Sequence, residues 1–229
     1  MTNRLFAIIV AGGSGSRMKS ETPKQFIPLG NKPIIMQTVS RFLHFSDDVS
    51  IVLVLPEKEI QTWENLCNAY SFDQKKIKVV VGGATRFLSV KNGLQAIEGA
   101  TGIVAIHDGV RPVISRELIE KGFKTAQMHG NAIATVVLKD SIRKVNQDNS
   151  STSLDRNEFR LVQTPQTFDL ALIRNAYEQT DSVDFTDDAS VAESAGQKIT
   201  LIEGSYQNIK ITTPEDLLLA EAVLRNFQY

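Results

Sequence analysis

The sequence predicts an α/β protein built on a mostly parallel, doubly wound sheet. Three observations predict it. Short apolar runs at 6–10, 51–55, 77–81, 103–106 and 132–138 alternate with stretches of helical periodicity. Continuous apolar runs that stop at glycine, proline or a charge read as strands covered on both faces. The alternation itself implies right-handed crossovers. Ligands of such sheets bind beyond the carboxyl ends of the strands, and three unusual segments fall on that rim: 11–24, 82–86 and 107–111.

In chain order, 6–10 is a buried strand that runs into Gly12, Gly13 and Gly15 and then into Arg17, Lys19 and Lys24. Backbone without Cβ atoms can lie against a ligand with its N–H groups toward anionic oxygens, so the segment reads as a phosphate cradle. Its plain alternative is a strand-to-helix turn with surface cations. It is not a P-loop, because no G-x-x-x-x-G-K-[ST] occurs, and a dinucleotide fingerprint would need glycine where Met18 stands. Residues 32–45 carry Ile35, Val39, Phe42 and Leu43 at helical spacing. The strand 51–55 stops at Pro56, and 57–70 reads as a helix whose Trp63 is a packing residue. The strand 77–81 ends in Gly82-Gly83-Ala84-Thr85-Arg86, followed by a helix with Phe87, Val90, Leu94 and Ile97 on one face and Ser89 near its start. The strand 103–106 leads into His107-Asp108-Gly109-Val110-Arg111-Pro112, and Ser115 caps a helix over 116–129.

After the strand at 132–138 the character changes. Residues 140–145 alternate, 147–151 are a turn cluster, and 159–162 suggest a returning strand. The stretch 139–168 therefore reads as a β-arm leaving a single domain that spans 1–229. An isolated hairpin is marginal in water, which predicts that the arm packs on a second subunit; a long surface excursion of a monomer is the alternative. A helix near 171–177, a helix after Thr186 as N-cap, strands at 198–202 and 208–211, and a final helix complete the chain. Thr213, Pro214 and Asp216 form the start signal of that last helix.

Composition bounds the function. The chain has 229 residues, 42% hydrophobic and 22% charged, with net charge −1, so it has no global field for nucleic acid. Cys67 is the only cysteine, which excludes an intrachain disulfide and a Cys/His zinc site. No apolar run reaches membrane-spanning length and no signal peptide is evident; the expected compartment is cytoplasmic.

The strings AGGSGSRM, PKQF, GGATRFLSV, HDGVRP, TPQTF, TDDAS and NIKITTPEDL, in order along essentially the whole chain, resemble the 2-C-methyl-D-erythritol 4-phosphate cytidylyltransferase family of glycine-rich-loop nucleotidyltransferases. The resemblance implies a Rossmann-like fold, a homodimer joined through the arm, and transfer of CMP from CTP to a sugar-alcohol phosphate with a Mg²⁺ ion and release of pyrophosphate. Ribitol-5-phosphate cytidylyltransferases share most of these motifs, and HDGVRP departs from the HDAARP common in the first branch. A nucleotide-binding regulatory protein is the reading from another class.

The resemblance also implies roles. Arg17, Lys24 and Lys210 would stabilise the reacting phosphates; Lys19 has no role to carry over. Ala11, Gly12, Gly13, Gly82, Gly83 and Ser89 would hold the cytidine. Asp108 would bind the metal. Asp108, Arg111, Ser141 and Lys210 would hold the acceptor, with Arg156 and Thr164 arriving on the partner's arm. His107 reads as structural, because an ionised phosphate needs no base, and Asp187 and Asp188 read as helix-start charges.

Overall fold

The computed structural model describes residues 4–13, 18, 22–180 and 184–225. Among the described residues, seven strands form one sheet. They are β1 (Leu5–Val10), β4 (Val49–Leu55), β5 (Ile77–Val81), β6 (Ile103–Asp108), β7 (Asn131–Val137), β10 (Arg160–Asp169) and β11 (Leu201–Glu203). Their spatial order is β11-β7-β10-β6-β1-β4-β5. Between β1 and β4 in the chain, the short strands β2 (Pro28–Leu29) and β3 (Lys32–Pro33) pair with each other. The neighbours β1, β4, β5 and β6 are parallel, as are β7 and β11, while β10 runs antiparallel to both β6 and β7.

The buried runs predicted from the sequence form the centre of this sheet. Ala7, Ile9, Ile51 and Leu53 point to one face, where α1 (Ile34–Phe45), α2 (Glu57–Ala69) and α4 (Arg116–His129) lie. Phe6, Ile8, Val52 and Val104 point to the other, under α3 (Arg86–Ala96), α5 (Leu170–Gln179) and α6 (Asp188–Ser194). Helices on both faces explain why these strands read as continuous rather than alternating apolar runs. Trp63 is fully buried, and its indole N–H donates to Gln74. Ser115 caps α4 as expected, accepting from the Leu118 N–H. The last helix, α7 (Pro214–Arg225), begins at Pro214, and the Asp216 carboxylate accepts from the Thr212 and Thr213 N–H groups.

Three expectations change. The arm is shorter than 139–168: its hairpin is β8 (Ile142–Val145) with β9 (Ser151–Leu154), whereas β10 lies between β6 and β7 in the main sheet. The polar string TPQT and Pro165 hide that strand in the sequence, and its register indeed shifts between Val162 and Gln166. The stretch 208–211 is not a strand; it crosses the sheet end, tied by the Ile211 N–H to the Val110 carbonyl. Asn208 competes with a ladder there, because its amide donates to the Thr164 carbonyl. The cap of α6 is Asp187 rather than Thr186, its carboxylate accepting from the Ser190 N–H.

Candidate active site

The carboxyl ends of β1, β5 and β6 open on a cavity of about 180 Å³. Ala11, Gly12 and Gly13 line it from the end of β1, Lys24 and Gln25 from the following turn, Gly83 and Ser89 from the β5–α3 loop, and Asp108 and Lys210 from the far side. The two glycine segments serve different ends. A Cβ on Gly83 would stand 2.3 Å from that of Leu88, so packing alone forbids a side chain there. Among the described residues, a Cβ on Gly12 or Gly13 would meet ordinary contacts at 3.7 Å. At these two positions the loop is bare of side chains without close packing among those residues to require it, which leaves its backbone open to a ligand.

Ser89 organises the second loop. Its hydroxyl donates to the Thr85 carbonyl at 2.9 Å and accepts from the Gly83 N–H at 3.1 Å, while Thr85 caps α3.

Asp108 ends β6 and is almost fully buried, ringed by three cations. Lys210 Nζ lies 2.9 Å and Arg111 Nε 3.4 Å from Oδ2, and Arg86 Nε lies 3.7 Å from Oδ1. Burial alone would raise its pKa, but Lys210, Arg86 and Arg111 together hold the carboxyl well below the usual carboxylate range. Its N–H donates to Thr164 Oγ1 at 3.0 Å, which the irregular backbone of β10 brings beside β6. Arg111 Nη1 donates to the Asn208 carbonyl at 2.7 Å, fixing the crossing segment that carries Lys210.

Arg86 reaches beyond Asp108. Its guanidinium donates twice to the Asp188 carboxylate, at 2.9 and 2.7 Å, and the Tyr177 hydroxyl donates to the same group at 2.7 Å. Burial opposes the charge on Arg86, yet the Asp188 and Asp108 carboxylates raise its pKa and keep it protonated. A second cavity, of about 400 Å³, opens beside the first. The two share Arg86, Asp108 and Lys210 as a common wall. Arg111, Thr164, Gln166 and Asp187 line the second cavity only.

The structure therefore gathers Ala11, Gly12, Gly13, Lys24, Gly83, Ser89, Asp108, Arg111, Thr164 and Lys210 around two adjoining cavities. Gly82 stands at the same rim, its N–H bonded to the Leu55 carbonyl. Arg17 and Lys19 lie outside the described residues. Thr164 is corrected: it belongs to β10 of the same chain and sits beside Asp108, so no partner arm is needed to bring it. Ser141 and Arg156 are not part of this gathering. Both are exposed at the base of the hairpin, where Arg156 donates to the Lys139 carbonyl. Asp188 opens α6, as a helix-start charge should, and is in addition the buried partner of Arg86.

Sequence reasoning missed Arg86, Gln166 and Asp188 as site residues. The only signal for Arg86 was its place at the end of GGATR, since Asp188 lies 102 residues further on. His107 is structural: its Nε2 bonds the Arg111 carbonyl at 3.1 Å, and burial pushes its pKa down to about 4. Cys67 is buried, and desolvation with nearby Glu64 pushes its thiol up to about 12, so it is no nucleophile. Among the described residues, no group of three His, Cys, Asp or Glu side chains could hold a metal, and no helix is long and apolar enough to cross a membrane.

A glycine-lined cavity at the carboxyl ends of a parallel sheet, walled by cations around one carboxylate, defines the class of α/β nucleotidyltransferases. The family model of IspD, 2-C-methyl-D-erythritol 4-phosphate cytidylyltransferase, matches residues 5–226, and the chain belongs to that family. A 2-C-methyl-D-erythritol 4-phosphate cytidylyltransferase of Bacteroides fragilis is 47% identical over 218 residues, covering 95% of this chain and 98% of that protein. One from Azobacteroides pseudotrichonymphae is 48% identical over 224 residues, covering 96% of this chain and 98% of its own. The crystal structure of 4-diphosphocytidyl-2C-methyl-D-erythritol synthase from Anaerococcus prevotii superposes with a TM-score of 0.83 at 29% identity, covering 97% of this chain and 99% of that one.

Proposed function

We propose that this chain transfers the cytidylyl group of CTP to 2-C-methyl-D-erythritol 4-phosphate and releases pyrophosphate, a step of isoprenoid precursor synthesis in the cytoplasm. The observation that carries the proposal is the pair of cavities with a shared wall of Arg86, Asp108 and Lys210, in a chain whose relatives bear that activity as their name. One cavity suits a nucleotide and the other a second phosphate, and they meet where a phosphoryl centre would react.

The acceptor phosphate oxygen attacks the α-phosphorus of CTP while the bond to the bridging oxygen of pyrophosphate breaks. The attacking group is already ionised, so the protein's work is positioning and neutralising charge. The backbone of Ala11, Gly12 and Gly13 and the loop of Gly82, Gly83 and Ser89 hold the cytidine, and their fixed N–H and C=O groups select cytosine. Lys24, with Arg17, neutralises the α-phosphoryl oxygens and the departing pyrophosphate. Lys210, only 44% exposed and held by Asp108, meets the α-phosphate from the opposite side. Arg111 and Thr164 border the acceptor cavity.

A divalent ion fits this arrangement when it travels with the triphosphate. Among the described residues Asp108 is the acidic side chain of the nucleotide cavity, and the surrounding cations keep it ionised. Asp108 would hold a Mg²⁺, whose charge would polarise the phosphates when bound.

The acceptor site is completed by a second subunit. Ser141 and Arg156 flank the two strands of the hairpin, are exposed and line neither cavity of their own chain, so a partner's arm is the simplest way to bring them in. Exposed Val145, Leu154, Phe159, Leu161 and Val162 supply the apolar surface for a homodimer at that end of the sheet. The test is pyrophosphate release with CTP and each acceptor in turn. Turnover is expected with methylerythritol phosphate; turnover with ribitol 5-phosphate alone would overturn the assignment.

A further inference from the structure

Gln25 follows Lys24 in the short 3-10 turn Lys24–Phe26 and is 1% exposed. Its Nε2 donates to the Ala11 carbonyl at 3.0 Å and also to the Glu59 carboxylate. Both partners are acceptors, so only the nitrogen end of the amide can face them, and its orientation is fixed. Ala11 is the first residue beyond β1, where the bare backbone of Gly12 and Gly13 begins. Glu59 is buried in the first turn of α2. Phe26 packs in the same core cluster as Ala11 and presses the turn onto the sheet. One side-chain amide thus joins the end of β1, the turn that carries Lys24, and α2. Its other atom, Oε1, is buried and has no hydrogen-bond partner among the described residues.

We infer that Gln25 is a positioning residue for cytidylyl transfer: its amide fixes Lys24 against the glycine backbone at the end of β1, with Glu59 as its anchor. The inference rests on the reaction proposed above. The Lys24 ammonium lies 3.7 Å from the point where a Gly13 Cβ would stand, so the spacing of cation and loop is set by what holds the turn. Removing the amide lets that spacing vary and slows the chemical step more than it weakens substrate binding.

The test is steady-state and single-turnover kinetics of Gln25→Met, alone and in a Lys24→Ala background. The single variant is expected to lose about 10- to 100-fold in kcat, with KM for CTP and acceptor changed less than about threefold. In the Lys24→Ala background the same change is expected to cost less than about twofold, because the residue through which it acts is gone. Glu59→Gln retains an acceptor for Gln25 and is expected to keep most of the wild-type kcat, whereas Glu59→Met falls with Gln25→Met. An unchanged kcat, or an equal loss in both backgrounds, would overturn the inference. Should Gln25→Met fail to fold, the Glu59→Gln and Glu59→Met pair decides, equal kcat in the two being the contradicting result. Wild-type protein that turns over no CTP would instead contradict the proposed reaction.

Discussion

Replacing Arg86 with methionine should destabilise the protein by about 3 kcal/mol, although the long side chain keeps most of its packing volume. Asp188 is fully buried and accepts three hydrogen bonds, two from Arg86 and one from the Tyr177 hydroxyl. Removing one member of a buried ion pair costs about 3–5 kcal/mol, because the remaining charge stays desolvated. Arg86 is 25% exposed, so some water can enter and the low end applies. With a urea slope of roughly 3 kcal/mol/M, the unfolding midpoint should fall by about 1 M. The double variant Arg86→Met/Asp188→Asn removes the stranded charge but keeps an acceptor for Tyr177, and should recover most of the loss. The assay is urea unfolding followed by circular dichroism. A single-variant loss below about 1 kcal/mol, or a double variant no more stable than the single one, would refute the reasoning.

Other outcomes follow from the same site. Lys24→Ala should fold normally and lose roughly 10²–10³-fold in turnover, the scale of one transition-state donor, as read from pyrophosphate release. Arg156→Ala should raise KM for the acceptor and leave CTP binding intact, as read by calorimetry with CTP alone. Mixed Arg156→Ala and Lys24→Ala chains should regain activity on subunit exchange; no recovery after demonstrated exchange would place the whole site within one chain. His107 has its folded pKa lowered to about 4 from 6.5, so the unfolded chain binds the extra proton first as pH falls. Its neutral burial therefore contributes stability that is complete above pH 6.5 and declines toward pH 4, by about 3 kcal/mol in all. His107→Gln, which keeps a donor for the Arg111 carbonyl, should flatten the stability profile over that interval in urea titrations.

Much of this architecture is legible in the chain because its centre is apolar on both faces. Runs such as those ending at Val10 and Leu55 have no solvent side, so they stand out without alternation. The glycine loops and Asp108 were legible for a related reason: each follows a buried strand, and the fold class places those ends on one rim. β10 was not legible as a sheet strand. Its inward polar residues Gln163, Thr164 and Gln166 serve the cavity and the crossing segment, and Pro165 reads as a break. Arg86 and Asp188 were obscure because their pairing is long-range, and a cation after a glycine loop carries no mark of its partner. Thr164 belongs to a recognisable motif, but no local pattern shows that its hydroxyl accepts from the Asp108 N–H of its own chain. Ser141 and Arg156 are the converse: they read as site residues, yet a single chain leaves them outside its cavities.

The central claim is direct transfer of the cytidylyl group between two bound phosphates. It is tested most directly with CTP labelled on the α-phosphate, incubated with methylerythritol phosphate and Mg²⁺, and followed to both product and protein. The account predicts that the label passes into the diphosphocytidyl sugar alcohol in equal amount to the pyrophosphate released, with none retained on the denatured protein. Label bound covalently to the chain, or pyrophosphate released without labelled product, would contradict it.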